Sequence, residues 1–161
     1  MVKNVKDNEN STAYNYDVLK DEFGVNTNKC NKFVYDVLKK SGINVPNMGG
    51  LKGILELGGP PTAGQWGDPD VTIRGWEVVS KPQAGDIVAY KYGYSDATGH
   101  VAIMISQTHS IGTSGTYNKV SVTDFGSNKN HLPDGSTYVY RRYVGSVFST
   151  KSGNNPWRAY P

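Results

Sequence analysis

One stretch of this chain carries helical spacing strongly enough to define an element, and most of the sequence beyond it reads as β-strand. In NTNKCNKFVYDVLKKSG the apolar residues Phe33, Val34, Val37 and Leu38 fall on one helix face. Thr27 or Asn28 stands where an N-cap belongs, Lys39 and Lys40 suit the carboxyl end of the dipole, and Gly42 terminates the run. Tyr14 to Phe23 reads as a short helix closed by Gly24, and Leu51 to Leu57 as another. Strands are then expected at GWEVVS, Ile87 to Tyr92, HVAIMIS, Lys119 to Phe125 and Thr137 to Val144. Helices first and an antiparallel meander afterwards place the chain in the α+β class.

The 161 residues suit a single domain with a genuine core. Residues 1–13 are polar and unpatterned and read as a flexible lead-in, leaving 14–161 as the domain. Between Asn47 and Asp70 glycine and proline dominate, the composition of a long surface loop. A net charge of +3 with scattered basic residues argues against nucleic-acid binding, which needs a basic stripe. No run approaches the roughly 18 apolar residues of a membrane span, and the first residues lack the apolar heart of a signal peptide.

Cys30 is the only cysteine, so it forms no internal disulfide and builds no cysteine-rich metal site. Its place at the start of the helix exposes it to free N–H groups and the positive end of the dipole, which favour a thiolate. Such a thiol is expected to react with iodoacetamide well below pH 8. A base is available in His100, in GHVAIMIS. On a strand His100 shares a face with Ala102 and Met104, opposite Val101, Ile103 and Ile105. Asp124 shares its face with Val120 and Val122, and an acid there needs a partner, for which His100 on the preceding strand is the expected one. Ser127, Asn128 and Asn130 lie just beyond it, and an amide can take the same orienting role. His109 and His131 lie in polar loops and read as surface residues, and Asp86 as a turn former. With no HExxH and no ligand spacing typical of zinc, neither metal nor cofactor is implied.

The combination NKCNKFV, GDIVAY and GHVAIM resembles the papain-like cell-wall hydrolases of the NlpC and CHAP type. The resemblance covers about residues 14 to 145. It implies a papain-like fold with N-terminal helices, the cysteine at a helix start, packed on an antiparallel sheet of about four to six strands. Carried over, Cys30 becomes the nucleophile, His100 the base and Asp124 the orienting residue. The expected reaction is hydrolysis of an amide bond in bacterial peptidoglycan. Lys29 and Lys32 would favour the thiolate and attract stem-peptide carboxylates, and Asn31, Tyr16 and Trp66 join Lys29 as candidate substrate contacts. Tyr14 or Tyr16 would assist the oxyanion, as an upstream tyrosine does in some relatives. Trp66, Trp76 and Trp157 are candidates for a sugar groove, with core packing the default for Trp76.

Some relatives are toxins injected into rival bacteria, which implies a monomeric effector. It would act in the periplasm or wall of a target cell and be neutralised in its producer by an immunity protein. Two other readings stay open: a cysteine protease or deamidase acting on proteins, and a non-catalytic module that binds glycan or protein.

Overall fold

A computed structural model describes residues 1–48 and 59–145. Among the described residues three helices, α1 (Val2–Lys6), α2 (Cys30–Lys40) and α3 (Ala63–Trp66), precede six strands: β1 (Trp76–Val79), β2 (Ile87–Lys91), β3 (Gly99–Met104), β4 (Ser110–Ser114), β5 (Lys119–Thr123) and β6 (Val139–Tyr143). One antiparallel sheet runs β1-β6-β2-β3-β4-β5. β2 to β5 form an antiparallel meander, as expected in kind, but β6, expected to continue it, returns to lie between β1 and β2.

Helix α2 buries Phe33, Val34, Val37 and Leu38 against Ile87, Ala89, Val101, Ile103, Ile111 and Val120 on one face of the sheet. The opposite face gathers Val88, Tyr90, Ala102, Met104 and Phe125, covered by Leu132, Tyr138 and Tyr140. The alternation inferred for β3 is therefore realised, with Val101 and Ile103 towards the helix and Ala102 and Met104 away from it. Asp86 does form the turn before β2, accepting the Gln83 N–H at 2.9 Å. It also takes the Arg142 guanidinium at 3.0 and 2.8 Å.

Several expectations need correction. Tyr14 to Phe23 is a series of turns and no helix, because Lys20 and Phe23 pair back on each other and Asp21 has φ of 52°. Neither Thr27 nor Asn28 caps α2; Lys29 holds the N-cap position without a capping bond from its side chain, while the Thr27 hydroxyl donates to the Gly24 carbonyl. The lead-in is packed: Val5 is fully buried in the core, and the Asn10 N–H and Ser11 carbonyl bond to Val120. The inferred helix at Leu51 to Leu57 lies outside the described residues, as does Trp157.

The most consequential difference is β4. The sequence from His109 to Asn118 reads as a loop joining two neighbouring strands, yet Ser110–Ser114 forms a strand between them. Serine, threonine and glycine hide it. Gly112 is needed because a Cβ there would lie 2.9 Å from the Ala102 Cβ, so only glycine lets β4 approach β3 this closely.

Candidate active site

Cys30 is the first residue of α2 and is 6% exposed. The β3–β4 ladder comprises only Ile103↔Ile111 and Met104↔Ser110, which leaves the first half of β3 open on that side. There the thiol receives the backbone N–H of Val101, the residue immediately after His100. The N–H groups of Asn31 and of Cys30 itself also face the sulfur. These amides favour a thiolate, but desolvation outweighs them and pushes the thiol up to about 11. The expected low-pKa thiolate is thus corrected: at rest Cys30 is a neutral thiol.

Gly99 explains why glycine precedes His100. Its φ is +143°, and a Cβ would fall 1.9 Å from the Tyr90 carbonyl oxygen. His100 is partly buried at the mouth of a cleft of about 570 Å³. Its ring meets Phe125 edge-on at 4.8 Å and lies 6.5 Å from Tyr90, its cross-strand partner. Burial, with a smaller contribution from nearby His131, lowers its pKa to about 4, so the resting imidazole is neutral. Among the described residues no hydrogen bond joins it to the thiol; what brings the two together is the shared β3 backbone.

Asp124 does not face His100 across adjacent strands, because β4 lies between β3 and β5. Its carboxylate bonds His131 Nε2 at 2.6 Å and receives Asn128 Nδ2 at 2.8 Å. These two bonds hold its pKa below the usual carboxylate range, His131 contributing most. Asn128, the alternative orienting residue, is likewise turned to Asp124. His131 and His109, read as surface histidines, both line the cleft. No periodic element carries His131: it ends a short 3-10 turn, Lys129–His131, capped by Asn128, so nothing in the sequence sets its direction.

The remaining candidates are dispersed. Lys29 is 2% exposed, and its ammonium donates to the carbonyls of Asn15, Tyr16 and Thr27 at 3.1, 3.2 and 2.9 Å. Lys32 is held between Asp21 and Asp36 at 2.9 and 2.6 Å. Neither lysine reaches the cleft. Tyr14 donates its hydroxyl to Asp36 at 2.9 Å. Tyr16 is exposed beside Asp96, at 3.5 Å. Trp66 is 1% exposed, edge-on to Trp76 at 5.0 Å, and is a core residue rather than a sugar platform. Asn31 stands beside the thiol through its backbone.

Residues 20–118 match the CHAP domain family, more than half of the chain. The chain belongs to that family. CHAP domains are papain-like and are generally hydrolases of peptidoglycan, acting as amidases or peptidases, so cell-wall peptidoglycan is the substrate class of this domain. Cys30 and His100 fall inside the matched span, whereas Asp124, Asn128 and His131 lie beyond it. Neither the curated proteins nor the solved structures give a match to the chain. Among the described residues no helix is long and apolar enough to cross a membrane, and no group of three or more His, Cys, Asp or Glu side chains is arranged to hold a metal ion.

Proposed function

We propose that this CHAP domain cuts an amide bond of the peptidoglycan stem by a thiol mechanism, with Cys30 as nucleophile and His100 as base. The observation that supports it is the seat of the thiol: the first residue of α2, on the amide just after His100. Both groups are neutral at rest, so the thiol proton passes to the imidazole as sulfur attacks the carbonyl carbon. The oxyanion is stabilised by N–H groups at the start of α2. The imidazolium then protonates the departing amine as the C–N bond breaks. Water, giving its proton to His100, releases the acyl group as a carboxylic acid and returns the proton to sulfur. Asp124 serves the site through His131 rather than through His100.

The biological setting we propose is an antibacterial effector, paired with an immunity protein and acting on a target cell's wall. This part rests on the sequence resemblance. Expression directed to the periplasm is expected to harm the host while cytosolic expression does little; equal toxicity in both compartments would sink the effector reading.

A further inference from the structure

The cleft beside His100 differs in charge from what the sequence around Cys30 leads one to expect. Lys29 and Lys32 are both withdrawn from it, each tied to oxygens elsewhere. Among the described residues no lysine or arginine lines the cleft, and Asp124 is its one carboxylate. The only ionisable nitrogens there belong to His100, His109 and His131. No lysine or arginine therefore offsets the Asp124 carboxylate within this wall. A substrate carboxylate placed here would meet repulsion, whereas a cation would meet a partner.

The geometry of the wall sharpens this. His131 Nε2 bonds an ionised carboxylate, which only accepts, so Nε2 carries the hydrogen. Its other ring nitrogen, Nδ1, has no protein hydrogen-bond partner among the described residues. The side chains of Asp124 and His131 are 46% and 39% exposed, so a ligand can reach both. Asn128 and the 3-10 turn fix this pair, and Tyr138 fixes Asn128 by donating to its carbonyl at 2.6 Å.

We propose that this wall is the specificity element of the cleft and recognises a free primary amine of the substrate in its ammonium form, the exposed Asp124 carboxylate supplying the charge. The proposal rests on the peptidoglycan reading above. Two amines of a stem peptide fit the chemistry: the side-chain amine of a diamino acid, and the N-terminal amine of a stem freed from its sugar.

The test compares kcat/KM of the full chain on three probes: a disaccharide muropeptide whose stem carries a diamino acid, the same muropeptide with its side-chain amine acetylated, and the sugar-free stem acetylated at that side chain only. A probe that lacks the recognised amine is expected to show kcat/KM lower by roughly twofold to fivefold through KM, the size of a partly exposed ion pair. Retained efficiency on the sugar-free stem would assign recognition to the N-terminal amine, and a parallel loss to the side chain. Asp124→Asn keeps an acceptor for His131 and removes the charge, so it should erase the discrimination while circular dichroism shows the fold intact. Equal efficiency on all three probes, or a difference that survives Asp124→Asn, overturns the amine proposal and leaves the peptidoglycan reading standing. No turnover of any probe, together with intact sacculi, defeats both.

Discussion

At Cys30 two influences oppose each other, and their sizes decide the resting state. A helix N-terminus contributes about 1 kcal/mol to a nearby anion, and three amides add to it. Burial in the core works the other way and prevails, raising the thiol from its ordinary 9.0 to about 11. His100 moves in the opposite sense, from 6.5 to about 4, because burial penalises the imidazolium. Iodoacetamide should therefore modify Cys30 slowly at pH 7, with the rate climbing between about pH 9 and 11; modification at pH 7 faster than free cysteine would mean a thiolate. Stability changes with pH by linkage. The stabilisation from the neutral thiol is complete below pH 9 and is lost as pH rises through about 11. That from the neutral imidazole is complete above pH 6.5 and is lost as pH falls through about 4. Nucleophile and base are thus both uncharged across the neutral range, ready for proton transfer during attack.

Among the elements β4 sets the geometry of the site. It separates β3 from β5, so that Asp124 does not follow a strand paired with β3, and it lines the cleft with the small residue Gly112. Gly112→Val should push β4 off β3 and destabilise the fold by about 1–3 kcal/mol, read as a lower urea midpoint. An unchanged midpoint would show that the approach to Ala102 is not tight. The difficulty of reading this strand from sequence is physical. Ser110, Gly112 and Ser114 have low strand propensity, and only their tertiary setting makes them a strand. Helix α2 is legible because four apolar side chains repeat along it, and β3 because its alternation survives burial on both faces. The turns at Tyr14 to Phe23 defeat the helical reading because Asp21 adopts a positive φ, as Asn26 does just beyond, and the backbone pairs locally. His131 is illegible for another reason: a side chain in a short turn takes its direction from its tertiary partners, here Asp124 and Asn128, and no periodicity records them.

In the whole molecule a helix covers one face of a six-stranded sheet and the chain from Phe125 to Tyr140 covers the other. The helix brings a thiol to the edge where β3 is left open, and the second cover builds a histidine-lined cleft around His100. The first residues join this core through Val5, so the polar composition of that segment conceals a structural part. CHAP membership gives the substrate class, and the arrangement of Cys30 and His100 supports the chemistry proposed for it. The most direct measurement is digestion of purified sacculi by the wild type, Cys30→Ala and His100→Ala, with the soluble fragments separated by mass. Wild type alone should release defined muropeptides whose masses identify the cleaved amide bond, with His100→Ala slower by roughly 10²–10⁴-fold. Release by Cys30→Ala at the wild-type rate would contradict the thiol mechanism.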